Sequence, residues 1–575
     1  MAMIQQRLLL SITASSLPLF MVASLLIFSG IGLRDPWPAD EPRFALIAKD
    51  MVETGQWFFP SRAGELYPDK PPLFMWAIAI FYWLTSNLRI AFLLPSAIAA
   101  LITIALTYDI AKRMWNKKVG LIAGWMLLFS FQFLLQAKTA QIDAVVCAFM
   151  TFACYGLLRF LVLKDTYRWY ASAWFFMGLG VITKGVGFLP LLMLIPYIWY
   201  GHKAPKSNQC FQISAIKWAT GPLFMLAAIS IWLIPMLVLV SLSDSIAHEA
   251  YRDNILLKQT VTRYADSWHH LKPFWYYITS VAPWFWLPTS FAAIFVYKDW
   301  QLHLKKHELR VLLPLGYVVL MLLFFSLSPG KRGVYILPAL PMFVLAVAPF
   351  YARFNSHSAF RYGLLVLSLI VAVSLSILGL LGAMGVPSVS SLTGQLAIQP
   401  WTFLALTGIT ALLFVLLSAR INILLAWPLV MSVIWLSYST YGYILRNPYS
   451  VPVGVLNQIK QHVSAEPELA MIDMSEQFFL FSPYTMTHFG YHTPNDIQLK
   501  SAYQWLESSN QYILIEKKLA DDTCFDTSEG HDLGFAHRRH WLLLPATSKR
   551  PDLNSLCGLQ GSSVKIFSRS VLPKL

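Results

Sequence analysis

Apolar runs long enough to cross a bilayer recur along most of the chain, and they restrict its fold more than any other feature. They start at Leu8, Ile90, Val119, Ala144, Tyr170, Val186, Ala219, Phe274, Val311, Val334, Tyr362, Trp401 and Ile421. A span needs roughly 20 apolar residues, so about thirteen spans are expected, with the fifth and sixth short. Lipid offers no water to backbone N–H and C=O groups, so each span must close its own hydrogen bonds as a helix. The first run, 8–28, is long for a signal-peptide core and further spans follow it, so an uncleaved first helix is expected.

Charge gives the orientation. Only 13% of the residues are charged, about half the share in a soluble chain. The net charge of +15 does not point to nucleic acid, because Lys and Arg gather in short loops between the runs. Lys112, Arg113, Lys117 and Lys118 follow the second run, Lys164 and Arg168 the fourth, and Lys203 and Lys206 the sixth. Lys298, Lys305, Lys306 and Arg310 follow the eighth, and Arg353 and Arg361 the tenth. All fall on the side of the N-terminus, which is therefore expected to be cytoplasmic. An odd number of spans then puts the C-terminus outside.

The expected architecture is a mainly α, polytopic membrane domain, 1–445, with a long first outer loop, 30–89. A polar C-terminal α/β domain, 446–575, follows outside the membrane. Within it the short apolar stretches 469–472, 512–515 and 541–544 have the composition of strands between turn-rich loops. Cys147 and Cys154 lie in an apolar run and suit packing, and Cys210 falls in a cytoplasmic loop. Cys524 and Cys557 either pair, if their segment is periplasmic, or stay free.

Loops longer than a connector needs are usually functional, and the outer loops carry cations that the orientation rule would not place there. An anionic ligand is the simplest reason. Asp40-Glu41-Pro42-Arg43 precedes an amphipathic stretch, 44–53, with Phe44, Ile47 and Met51 on one face and Gly55 as a stop. Asp40 suits a helix N-cap with Pro42 in the first turn. It equally suits a base or orienting group beside Arg43 at the membrane surface. In Tyr67-Pro68-Asp69-Lys70-Pro71-Pro72 the prolines fix the backbone around Lys70. Lys70 either snorkels to headgroups or meets a phosphate, and Asp69 is a possible metal ligand. Asp143 opens the fourth run and Lys184 lies in an outer turn, and ionisable residues at membrane depth carry a functional presumption. In 328–338, glycines flank Lys331-Arg332, so backbone and guanidinium can approach a bulky anion, or else anionic lipid headgroups. The outer segment 241–272 adds Arg263, His269 and His270. No nucleotide-binding loop, HExxH or GxSxG is present, which argues against a nucleotide cofactor and a serine hydrolase.

The order Asp40-Glu41-Pro42-Arg43, Tyr67-x-Asp69-Lys70-Pro71-Pro72, Gln141-Ile142-Asp143, Pro273-Phe274-Trp275-Tyr276-Tyr277 and Lys331-Arg332-x-x-Tyr335-Ile336-Leu337-Pro338 resembles the bacterial lipid A aminoarabinose transferases. These ArnT-like proteins stand beside the protein O-mannosyltransferases among the GT-C membrane glycosyltransferases. The resemblance implies a bacterial inner-membrane enzyme that transfers a sugar, such as 4-amino-4-deoxy-L-arabinose, with inversion. The donor would be an undecaprenyl-phosphate-linked sugar and the acceptor a lipid A phosphate. It puts Asp40, Arg43 and Asp143 at the reacting centre, and Lys70, Lys184 and Arg263 near the carrier phosphate. Tyr67 and Tyr335 would line the cavity. A divalent metal ion would take Asp69 with His269 or His270, although Asp69 stands where related sequences usually have Glu. Two other readings are transfer to a protein or glycan hydroxyl, and a lipid or sugar transporter. The transporter reading lacks paired broken helices in two halves.

Overall fold

A computed structural model of the protein describes residues 15–203, 215–257, 271–393, 399–463, 466–520, 524–536, 539–550, 557 and 566–569. Arg263, His269, His270 and Cys210 lie outside these, as does the start of the first run. The chain forms two compact units. One takes in Met1–Ile31, Pro68–Phe74 and Leu93–Gly442, the other Gly32–Tyr67, Met75–Phe92 and Tyr443–Leu575.

The first unit is made of apolar helices, and the protein is a multi-pass membrane protein. Among the described residues eight helices are long and apolar enough to cross a membrane, or ten if each of two bent pairs is one span. The pairs are Lys117–Leu128 with Phe131–Ala137, bent by 69°, and Tyr277–Phe285 with Thr289–Lys305, bent by 108°. In the second pair Pro288 stands at the break, where it has no N–H to continue the ladder. The remaining expected runs fall on Leu17–Phe28, Tyr167–Lys184 and Leu189–Gly201, which are shorter or less apolar. An apolar helix not counted among the runs, Leu73–Thr85, lies within the first loop.

Packing in this unit depends on small residues. Along Ser358–Ala383 the buried positions include Ser368, Ala372, Ser376, Gly379 and Gly382, while Val366, Ile370 and Ile377 are exposed. A Cβ at Gly379 would lie 2.1 Å from the Ala405 backbone nitrogen, and one at Gly408 2.3 Å from that of Ser376. Helix Trp401–Ile421 therefore approaches backbone to backbone, where small side chains replace the hydrophobic drive that lipid removes.

The second unit is built on a six-stranded sheet. The strands, in chain order, are β1 (Ser61–Arg62), β2 (Glu65–Leu66), β3 (Glu468–Met471), β4 (Met486–His488), β5 (Gln511–Glu516), β6 (His531–Ala536), β7 (Arg539–Pro545) and β8 (Phe567–Arg569). The sheet order is β6-β7-β5-β3-β4-β8, with β3 parallel to β4 and β5 and the other pairs antiparallel. The three apolar stretches expected as strands coincide with β3, β5 and β7. Ile472, Phe489, Tyr503, Ile513, Leu542 and Leu544 form its core. Cys524 and Cys557 are joined in a disulfide, with Cα atoms 5.8 Å apart. β1 and β2 make a separate hairpin turning on Ala63 and Gly64, both at positive φ. That is the turn geometry that fits a two-residue hairpin. A Cβ at Gly64 would meet the Ser568 carbonyl at 3.0 Å, so the hairpin sits close on β8.

Candidate functional site

The Asp40–Arg43 motif opens helix Glu41–Thr54, with Pro42 in the first turn and Gly55 as a left-handed C-cap whose N–H bonds to Met51. Its two acids differ in environment. Asp40 occupies the N-cap position, but its side chain makes no capping bond. Glu41 instead secures the start of the helix. Its carboxylate takes both ends of the Arg34 guanidinium at 2.5 and 2.7 Å and the Trp37 N–H at 2.8 Å. Arg34 is 1% exposed, with the rings of Trp37, Phe92 and Tyr443 at 4.5, 5.1 and 5.0 Å. Burial alone would lower its pKa, and the Glu41 carboxylate outweighs that and raises it.

Asp40 is half-buried and lies 3.9 Å from Arg43. The stronger bonds of Arg43 go elsewhere, from Nε to Glu476 at 2.8 Å and from Nη2 to the Tyr491 hydroxyl at 3.3 Å. The buried Arg62 donates to the same Glu476 oxygen at 3.3 Å. Its guanidinium lies 3.5 Å from the Tyr491 ring centroid and 5.4 Å from that of buried Tyr67. Burial pulls the Arg43 pKa down, while Glu476 more than restores it. Two cations and two carboxylates thus converge beside Tyr67 and Tyr491.

A second charged group lies in the membrane unit. Asp143 is in the first turn of helix Ile142–Leu161, and Lys184 is the last residue of helix Tyr167–Lys184, which Gly185 ends at positive φ. A carboxylate at a helix N-terminus and an ammonium at a C-terminus both suit the helix dipole. The two side chains form an ion pair. The Lys184 ammonium also lies 4.5 Å from the Tyr335 ring centroid, so Asp143, Lys184 and Tyr335 come together. Tyr335 sits in the 3-10 segment Gly333–Ala339. That segment is held by Gln132, which donates to the Gly333 carbonyl at 2.8 Å and accepts from Trp286 at 2.7 Å.

Similarity to known proteins extends over more than half of the chain. Residues 69–234 match the family model described as dolichyl-phosphate-mannose-protein mannosyltransferase. An undecaprenyl phosphate-alpha-4-amino-4-deoxy-L-arabinose arabinosyl transferase of Aeromonas salmonicida is 28% identical over 394 residues, 64% of this chain and 67% of the relative. One from Pseudomonas fluorescens is 30% identical over 353 residues, 56% of this chain and 57% of the relative. The crystal structure of ArnT from Cupriavidus metallidurans bound to undecaprenyl phosphate has the same fold. Its TM-score is 0.72 at 18% identity, covering 94% of this chain and 99% of that one. The chain is similar in sequence and in fold to the ArnT-like GT-C membrane glycosyltransferases.

Not every motif residue of this ArnT-like chain faces outward. Lys331, expected to meet an anion, is 4% exposed and donates to the carbonyls of Lys272 and Ser328 at 3.0 and 2.5 Å. It closes its own loop, because a buried ammonium must find acceptors. Arg332 is half-buried beside it, and its carbonyl accepts the Tyr277 hydroxyl at 3.3 Å. Lys184, expected near a phosphate, has Asp143 as a counter-charge. Asp69 and Lys70 are half-buried in the turn before Leu73–Thr85. Among the described residues no three His, Cys, Asp or Glu side chains gather to hold a metal ion.

Sequence reasoning missed Glu476, Tyr491 and Arg62, which have no motif around them. It also missed Lys138, buried with its ammonium on the Ser29 carbonyl at 2.7 Å, where helix Leu17–Phe28 ends. For Lys138 a signal was present: a lone cation next to an apolar run.

Proposed function

We propose that this chain transfers 4-amino-4-deoxy-L-arabinose, or a related amino sugar, from undecaprenyl phosphate to a lipid A phosphate. Transfer takes place at the outer face of a bacterial inner membrane. The observation that carries the proposal is the 28–30% identity to aminoarabinosyl transferases, and the likeness of fold to a protein that binds undecaprenyl phosphate supports it. The N-terminus is cytoplasmic and the sheet-bearing C-terminal part periplasmic, consistent with the disulfide it contains.

Polyprenyl phosphate leaves readily only when its developing charge is matched, and that is the role of Lys70, Lys184 and Arg263. A phosphate-monoester acceptor is already anionic near neutral pH. Asp40 then orients the acceptor or the sugar's amine, and Arg43 beside it balances the charge. Asp143 is the counter-charge of Lys184. A divalent ion would enter the account through Asp69, and turnover lost on chelation and restored by added metal would bring it in.

The family description of residues 69–234 favours a second reading, in which a protein hydroxyl is the acceptor. Asp40 would then be a true general base. Mass spectrometry of lipid A from cells with the donor pathway separates the two. A pentosamine or hexosamine on lipid A, lost in Asp40→Ala and Lys70→Ala, supports the first. Unchanged lipid A with well-expressed protein overturns it.

A further inference from the structure

Each of the two bent pairs in the membrane unit gives one residue at its bend to a single buried relay. Gln132 is the second residue of Phe131–Ala137, just past the 69° bend, and is 3% exposed. Trp286 directly follows Phe285 at the 108° bend and is 1% exposed. Trp286 Nε1 donates to Gln132 Oε1 at 2.7 Å, and Gln132 Nε2 donates to the Gly333 carbonyl at 2.8 Å. An indole N–H can only donate, so it fixes the amide with its oxygen toward Trp286 and its NH2 toward Gly333.

The carbonyl at the end of the relay opens segment Gly333–Ala339. The carbonyl before it, that of Arg332, accepts from the Tyr277 hydroxyl at 3.3 Å and from the Tyr335 N–H at 3.1 Å. Two consecutive carbonyls are thus anchored by residues of the bent pairs, and Tyr335 is bonded to the first of them. The Tyr335 ring is the one 4.5 Å from the Lys184 ammonium, which Asp143 holds from another side. A carbonyl at membrane depth needs a protein donor where water is missing. That need accounts for one bond to Gly333. It does not account for a donor whose direction a second buried side chain fixes, two residues before a ring that lies against a cation.

We propose that Gln132 and Trp286 are positioning residues for the carrier phosphate: their relay sets Gly333 and so holds the Tyr335 ring against Lys184. The inference rests on the assignment of Lys184 to that phosphate made above. It also gives both bends a share in the site, since a straight helix at either place would move one member of the relay.

The test titrates the purified full-length chain with undecaprenyl phosphate, below the melting temperature of every variant. The readout is Kd with its stoichiometry, because a merely structural loss lowers the number of competent sites and leaves their Kd alone. Gln132→Met keeps the length of the side chain and removes both bonds. It is expected to raise Kd about fivefold, the scale of one hydrogen bond. Tyr335→Ala is expected to raise it about 10-fold. Gln132→Met also strands the buried Trp286 N–H and lowers the melting temperature, so the double variant Gln132→Met with Trp286→Phe is the deciding one. Removing both partners should restore much of the melting temperature, while Kd stays about fivefold up because Gly333 still lacks its donor. In a Tyr335→Ala background the Gln132→Met effect on Kd should disappear, since the role runs through Tyr335. Wild-type Kd in Gln132→Met overturns the inference, as does a Kd that recovers with melting in the double variant or an undiminished rise in the Tyr335→Ala background. Failure of the wild-type chain to bind undecaprenyl phosphate is the distinct result that overturns the functional reading beneath it.

Discussion

Two acidic residues, each just inside or at the start of a helix, show how differently the two units treat charge. In the membrane unit Asp143 is matched by Lys184 across two neighbouring helices. In the other unit Asp40 stands 3.9 Å from an arginine whose shorter bond goes to Glu476. The first arrangement neutralises a carboxylate at membrane depth. The second keeps one near a cation without closing on it. The membrane-unit carboxylate thus has its cation to itself, whereas the cation beside Asp40 is shared with a second carboxylate.

Replacing the two acids should break the comparison most sharply. Asp40→Asn is expected to cost roughly 100- to 10,000-fold in turnover with a hydroxyl acceptor, the range for a lost general base. With lipid A phosphate the same variant should lose only about 10-fold, because the acceptor is already ionised. Equal loss on both acceptors would remove the orienting role.

Asp143→Asn or Lys184→Met alone should lower stability by about 4 kcal/mol, since each leaves an unmatched charge at a mostly buried site. The double variant should recover most of it, measured as melting temperature in one detergent. A double variant no better than either single one would mean the pair is not the unit of stability.

The second unit has its own lever. A disulfide closing the 33-residue separation between Cys524 and Cys557 should contribute about 4 kcal/mol by loop entropy. Cys524→Ser or a reductant should therefore lower the melting of that unit and leave the membrane helices folded. Helical circular dichroism read alongside tryptophan emission distinguishes the two.

The smallest expected effect is acid sensitivity at His488. Burial and the nearby Arg62 push its pKa down from 6.5 to about 4, against the hydrogen bond to the Ala63 carbonyl. The unfolded chain therefore takes up a proton first. Stability is complete above about 6.5 and falls as pH drops from there to about 4, by about 3 kcal/mol. His488→Gln should flatten that stretch of the profile.

How much was legible follows the same division. Hydropathy carries the membrane helices, so their order could be read residue by residue, while the breaks near Ser130 and Pro288 shorten what composition alone joined. The strands of the second unit were legible from short apolar stretches. Its ties to the first loop were not: Arg43 and Glu476 are 433 positions apart and Asp50 and Arg569 519 apart, distances at which no local pattern exists. Of the residues that converge beside Glu476, Asp40, Arg43 and Tyr67 stand in motifs that the sequence displays. Glu41 was legible only as part of the motif, and its work on Arg34 depends on a fold that wraps three rings around that guanidinium. Lys331 was misjudged because a glycine-flanked cation has the same sequence whether it faces a ligand or its own carbonyls.

The most direct test of the central claim is transfer by the purified chain in liposomes, with label in the sugar of undecaprenyl-phosphate aminoarabinose and lipid A as acceptor. The account predicts label moving to lipid A, with inverted anomeric configuration, and movement that fails in Asp40→Ala and Lys70→Ala. Label that stays on the carrier while folded protein and both substrates are present would contradict it.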